Sequence, residues 1–176
     1  MKSKSIHMLL ALAMTAAAGS AAAAGPGHLG NLSGMSYAIG NSFVSGAAIF
    51  DTYTFDILPL ASVAGTAVSI ELDIPLLPGH EFAIDDFSIA FYDAADTLLA
   101  SDTQTSPGDT TLDISSLMLG AGMGYKFVVT GNVTGTLGGS YGGALAAAPV
   151  PEAKTYALML AGLGLIGFMV SRRRMS

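Results

Sequence analysis

Asp51-Thr52-Tyr53-Thr54-Phe55-Asp56-Ile57 alternates large apolar side chains with small or polar ones. Successive side chains of an extended strand point to opposite faces, so Tyr53, Phe55 and Ile57 should meet a core while Thr52, Thr54 and Asp56 meet water. The pattern recurs further along the chain. Val68, Ile70, Leu72 and Ile74 alternate with Ser69, Glu71 and Asp73. Phe87, Ile89 and Phe91 repeat it, as do Tyr125, Phe127 and Val129 with Lys126 turned outward. Shorter runs at 97–101, 110–114 and 141–146 bring the expectation to about seven or eight strands. Asp93-Ala94-Ala95-Asp96 has the length of a hairpin loop, and Ser106-Pro107-Gly108-Asp109 is a turn in which Pro fixes one φ and Gly frees another. Gly is dense between 120 and 143, which suits strands that bend or pack against a neighbour's backbone. The fold expected is all-β: a single antiparallel β-sandwich, jelly-roll-like, over residues 25–148.

The flanks follow other rules. Residues 1–24 start with Lys2 and Lys4, run through an apolar core from Ile6 to Ala18 and end in Ala22-Ala23-Ala24, the order of a secretory signal peptide. At the other end, residues 155–170 carry no charge and are followed by Arg172, Arg173 and Arg174. A helix over that stretch is about 24 Å long, somewhat short of a hydrocarbon core of about 30 Å. It reads as a transmembrane helix of a thin or thinned bilayer, with the Arg cluster on the cytoplasmic side. Gly162, Gly164 and Gly167 thin one face, where another membrane helix could approach.

Charge narrows the partners. Between residues 25 and 150 twelve carboxylates face one ammonium, Lys126, so this part repels phosphate backbones and nucleic acid is not expected as a partner. The chain has no Cys, which removes disulfides, thiol nucleophiles and thiolate metal sites.

Val150-Pro151-Glu152-Ala153, the apolar helix and the Arg tail together resemble the PEP-CTERM sorting signal of exopolysaccharide-producing Gram-negative bacteria. In that family a Pro-Glu-Pro triplet precedes the helix, and the resemblance implies recognition and removal of residues 149–176 by a membrane-embedded protease of the exosortase type. Ala153 stands where the third residue of the triplet would be Pro; it restores a backbone N–H and frees φ. The run from Phe50 to Ile114, with Phe91-Tyr92-Asp93 and Leu98 to Asp102, also resembles the bacterial pre-peptidase-type β-sandwich, which the strands at Tyr125 to Gly131 and Ser140-Tyr141 would close. Similar domains occur in PEP-CTERM proteins marked by an F-x-D-x-F strand, here Ile49, Asp51 and Tyr53. This resemblance implies a binding or spacer module.

No catalytic residues stand out. His28 and His80 are the histidines of the exported part, and neither a G-x-S-x-G elbow nor an H-E-x-x-H pair accompanies them. Asp85 with Asp86, and Asp93 with Asp96, are the visible carboxylate pairs for glycoside hydrolysis, but adjacent strand residues diverge and the chain has no Trp platform. Calcium suits Asp85, Asp86, Asp93 and Asp96, with Asp102 and Asp109 nearby, although no D-x-D-x-D-G loop is present and a solvated acidic surface explains the same residues. No cofactor is expected apart from calcium. A row of exposed Tyr37, Tyr92 and Tyr141 would mark sugar binding.

The expectation is thus a non-enzymatic exported protein, anchored in the inner membrane as a precursor through its C-terminal helix and then sorted to the cell surface or extracellular space. There it would serve a structural or adhesive role in exopolysaccharide or biofilm. The alternatives are a calcium-dependent carbohydrate-binding module and a secreted hydrolase acting on polysaccharide.

Overall fold

Alternation over 48–57 produces a ten-residue strand, and a computed structural model, which describes residues 23–73, 81–106, 108–150 and 153–174, shows what it packs against. The strands are β1 (Gly27–Asn31), β2 (Ser36–Phe43), β3 (Ala48–Ile57), β4 (Ala61–Ile70), β5 (Leu72–Asp73), β6 (Glu81–Phe82), β7 (Ile84–Tyr92), β8 (Leu98–Thr103), β9 (Thr111–Leu119), β10 (Gly122–Val133) and β11 (Gly139–Pro149). One helix, α1 (Ala153–Arg174), follows. A five-stranded sheet in the order β1-β3-β10-β7-β8 faces a four-stranded sheet in the order β2-β11-β4-β9, and β5 pairs with β6 alone.

The core lies between the two large sheets. Tyr53, Phe55 and Ile57 of β3, Phe87, Ile89 and Phe91 of β7, and Phe127 and Val129 of β10 are fully buried, as their spacing requires. Phe91 meets Phe127 at a centroid distance of 4.8 Å and Phe55 edge-on at 6.1 Å, arrangements that aromatic quadrupoles favour. Each such ring removed from water stabilises the fold by roughly 1.5–3 kcal/mol.

Three expectations change. In β4 the inward residues are Ala61, Val63, Gly65, Ala67 and Ser69, while Val68 and Ile70 face outward and Leu72 beyond them is exposed. The parity of a strand is fixed where it pairs most tightly, and β4 begins at Ala61, opposite Pro149 and Leu119, well before Val68. Gly65 sits on that inward side because a Cβ there would come within 2.6 Å of the Phe127 ring. Second, β1 and β2 have no clear alternation in Gly-His-Leu-Gly-Asn and Ser-Tyr-Ala-Ile-Gly-Asn-Ser-Phe, yet both are strands. They are held by ladder partners, β2 along β11 and β1 along β3. Third, the sandwich is not wholly antiparallel, since β1 runs parallel to β3.

The expected loops are found. Asp93–Asp96 joins β7 to β8, with Asp96 N–H donating to the Asp93 carbonyl, and Asp109 N–H closes its turn on the Ser106 carbonyl. Pro107 and Ile74 lie outside the described residues. Glycine density near the C-terminus has a packing cause: a Cβ on Gly143 would run into the Thr66 carbonyl oxygen of the neighbouring strand.

At the N-terminal edge Ala24 donates to the Ala38 carbonyl and accepts from Gly40 N–H, so the chain joins β2 at the last residue of the expected signal peptide. Residues 1–22, with that peptide's apolar core, lie outside the described residues. At the other edge β11 continues to Pro149, and Val150 N–H donates to the Leu60 carbonyl at 3.0 Å.

Candidate functional site

Helix α1 begins at Ala153, two residues earlier than the uncharged stretch, and its 22 residues extend about 33 Å. Tyr156, Leu158, Leu160, Leu163, Leu165 and Ile166 are all exposed. The helix is therefore apolar around its circumference without being a core helix of the sandwich. Among the described residues no helix is long and apolar enough to cross a membrane, so the transmembrane assignment of 155–170 does not follow from the fold. The uncharged run is short for the purpose, as its sequence length already implied.

The residues expected to form the sorting signal divide between the junction of these two regions and the far end of α1. Val150 is half-buried at the end of the sandwich and Ala153 is the first residue of α1. Arg172, Arg173 and Arg174 form its last turn, while Pro151 and Glu152 lie outside the described residues.

The aspartates singled out for calcium are dispersed among local donors. Asp93 Oδ1 accepts from the N–H groups of Ala95 and Thr97, both at 2.8 Å. Donation from Thr97, joined by Ala95 and the charge of Lys126, holds the Asp93 carboxyl below the usual carboxylate range. Asp96 pairs with Lys126. Asp86 accepts from Asn132, Asp102 from Thr103 and Asp113, and Asp109 from Thr105. Among the described residues no group of three or more His, Cys, Asp or Glu is placed to hold a metal ion. The pattern does not fit calcium, which needs several oxygens converging on one point.

His28 bridges strand edges: its Nδ1 lies 3.1 Å from Thr54 Oγ1, and its Nε2 is 3.9 Å from Asp56 Oδ2, beyond hydrogen-bond reach. Asp56 is engaged instead by the Gly124 N–H at 2.9 Å. This ties β1 to β3 on an exposed surface. His80 lies outside the described residues.

The exposed tyrosine row that would have marked sugar binding does not form. Tyr141 is only 3% exposed, and Tyr37 packs against the core from its margin. Tyr141 belongs to a buried polar network that sequence reading missed. Its hydroxyl donates to Asp51 Oδ2 at 2.5 Å, Asn41 Nδ2 donates to the same oxygen at 2.9 Å, and the Tyr53 hydroxyl lies 2.8 Å from that of Tyr141. Asp51 and Tyr53 come from β3, while Asn41 and Tyr141 come from β2 and β11, so the network clamps the two sheets together. Burial, with the bonds to Asp51 and Tyr53, pushes the Tyr141 phenol far above its ordinary value; burial also raises Tyr53. The signal was available: Asp51 shares the inward parity of Ile49 and Tyr53, the three positions compared above with an F-x-D-x-F strand.

Tyr92 instead borders a groove of about 320 Å³ on the outer face of the five-stranded sheet, with Phe50, Thr52, Ser88, Ala90 and Lys126. Registers Phe50 to Thr130 to Ser88 and Thr52 to Val128 to Ala90 lay these side chains in rows. Ala90 and Val128 are its buried floor, Phe50 stands 75% exposed at one side, and the Lys126–Asp96 pair closes one end.

Residues 149–174 match the family model described as the PEP-CTERM protein-sorting motif. The chain carries a PEP-CTERM sorting signal. That motif marks an exported protein processed by an exosortase, a membrane protease. The PEP-CTERM segment thus starts at Pro149, inside β11, and ends with α1. Among solved structures the chain is similar to the pre-peptidase C-terminal domain of collagenase from Bacillus anthracis, at 13% identity and a TM-score of 0.42, covering 72% of this chain and 99% of that one. It is also similar to PliG, a periplasmic inhibitor of g-type lysozyme from Aeromonas hydrophila, at 9% identity and a TM-score of 0.30, covering 69% and 99%. No curated protein matches the sequence.

Proposed function

We propose that the chain is made as a precursor held in the inner membrane by α1, with Arg172–Arg174 on the cytoplasmic side. Exosortase-type cleavage near Val150–Ala153 then frees the sandwich for the cell surface or extracellular matrix. The reading is carried by one observation: a PEP-CTERM motif lies on a helix that is apolar all round and not packed as core. Such a circumference is stable in lipid. The sandwich itself acts as a non-catalytic structural or adhesive module. Intact-mass measurement of the protein from its native host, with and without the exosortase, tests this. The expected product starts near Gly25 and lacks α1; a product that keeps Arg172–Arg174 whether or not the protease is present overturns it.

A second reading is favoured by the groove. Phe50 and Tyr92 offer faces for sugar C–H groups, and Thr52, Ser88 and the Lys126–Asp96 pair offer hydrogen bonds, so the module would bind matrix polysaccharide without calcium. Titration with native exopolysaccharide should show Phe50→Ala weakening binding at least tenfold, unchanged by chelator. Equal binding by the variant removes this reading.

A further inference from the structure

We propose that the rim of the sandwich from which α1 departs is a lipid-contacting collar, seated in the interfacial layer of the membrane for as long as the sorting helix is attached. The proposal rests on the reading that α1 enters the membrane.

The first argument is the length of the tether. β11 is an inner strand, paired with β4 as far as Pro149 opposite Ala61, and Ala147 on its other side bonds to Gly34 and Met35. Val150 is held by the Leu60 carbonyl, and α1 starts at Ala153. The three chain steps from Val150 to Ala153 can reach at most about 11 Å. A helix in the bilayer therefore brings this end of the sandwich to the membrane surface.

The second is what stands at that end. Registers place three connections around the exit: β1 to β2, β3 to β4, and β9 to β10, through Ala147 to Met35, Val150 to Leu60, Ala61 to Leu119 and Ile57 to Gly122. The segments 31–35, 57–61 and 117–124 contain no charged residue. They do contain Met35, Leu58, Met118 and Met123, each at least half exposed, with Met123 at 69%. Unbranched Met and Leu side chains suit an irregular, partly apolar layer.

The third is charge. In a body so rich in carboxylates, Glu71, Glu81, Asp85, Asp86 and Asp109 lie at or towards the opposite end of the strands. The carboxylates nearest the collar are Glu152, which lies in the link to α1 with Lys154 two residues on, Asp56, bonded to Gly124 N–H, and the Asp93–Asp96 turn, where Lys126 neutralises Asp96. An anionic bilayer repels the acidic end and tolerates only the uncharged one. The short helix adds a pull in the same direction, because its uncharged run falls about 6 Å short of the hydrocarbon thickness and drawing the rim inward relieves that mismatch. The collar would hold the motif at a fixed height and orientation for a protease that itself lies in the membrane.

The absence of native Cys gives a clean test on the full-length chain. Single substitutions Leu58→Cys, Met123→Cys, Val44→Cys and Leu163→Cys, all at exposed positions, are labelled with an environment-sensitive fluorophore. The protein is placed in phosphatidylcholine–phosphatidylglycerol vesicles carrying headgroup-depth quenchers. Val44 follows the end of β2 opposite the collar. The expected result is quenching at 58 and 123 at least threefold stronger than at 44, with the label at 163 in the apolar interior. Quenching at 58 and 123 no stronger than at 44, while 163 is buried in lipid, overturns the collar alone. A label at 163 that stays in water overturns the membrane reading of α1 and the collar with it. As a second arm, Leu58→Asp with Met123→Asp should slow processing several-fold without shifting the sandwich's urea midpoint; unchanged processing counts against the proposal.

Discussion

The sandwich and α1 are both rich in apolar residues, yet they use them in opposite ways. Over residues 51–57 of β3 the large side chains fall on alternate positions, and the strand buries Tyr53, Phe55 and Ile57 while Thr52 and Thr54 keep contact with water. In α1 they fall on every side of the helix, and Leu158, Leu160, Leu163 and Leu165 remain exposed. A body of two sheets offers a single interior, and only residues sharing one face can enter it. The apolar side chains of α1 share no such face and stay outside that interior. The contrast shows that periodicity, rather than apolar content, separates the part of this chain that folds on itself from the part that serves as an address.

That contrast can be broken by perturbing each region and reading both. The largest effect is expected from Gly143→Val, which drives a branched side chain into the β4 backbone; it should cost about 4 kcal/mol or more and abolish cooperative unfolding in urea. Asp51→Ala strands the Tyr141 hydroxyl and the Asn41 amide between the sheets, and should cost about 3 kcal/mol by the same measurement. Tyr141→Phe removes one donor to Asp51, and about 2 kcal/mol of stability is expected to go with it.

The tyrosine variant should also change the pH profile. In the fold both phenols keep their protons above the pH near 10 at which unfolded tyrosine ionises. Their contribution is complete below that pH and is lost as pH rises towards the raised folded values, so the wild type should lose stability from about pH 10 upward and Tyr141→Phe should lose it less steeply. Asp93 gives the opposite sign: its lowered folded value means a contribution present above the unfolded carboxylate value near 3.9 and lost as pH falls through the folded one. The smallest effect on stability should come from Leu160→Asp in α1, within about 0.5 kcal/mol for the sandwich. The same variant should move the precursor from the membrane fraction to the soluble one, and an equal loss of sandwich stability would erase the distinction between the two regions.

Ala153→Pro sharpens the junction itself. Position 153 is the first of α1, where Pro is compatible with helix geometry and its missing N–H has no intrahelical partner to lose. Processing in the native host should quicken while the sandwich's melting temperature stays unchanged.

Much of the architecture could be read from single strands. β3, β7 and β10 each show enough consecutive alternation for their inward residues to be named, and the Asp93–Asp96 and Ser106–Asp109 turns carry their own chemistry. The strand expected over 68–74 overlaps β4 only at Val68–Ile70 and with the wrong face inward, because Val68-Ser69-Ile70 offers the stronger apolar signal while Ala61-Ser62-Val63 holds the register. β1 and β2 were hidden because their small residues are strands through pairing, a property of their neighbours. The sorting segment could be read through its resemblance to the PEP-CTERM signal, whose motif matches residues 149–174. The groove was not, since Phe50, Ser88 and Lys126 meet only when three strands are laid side by side.

The sequence by itself determined the two-sided strands, the acidic body and the tripartite terminal signal, because alternation, net charge and an apolar run closed by arginines are properties of neighbouring residues. Tertiary structure alone decided that Asp51 is tied to Tyr141 across the core, that the outward face of β4 carries Val68 and Ile70, and that an uncharged rim surrounds the exit of α1. Those facts depend on contacts between residues up to ninety positions apart, and linear order does not encode which strand will lie beside which.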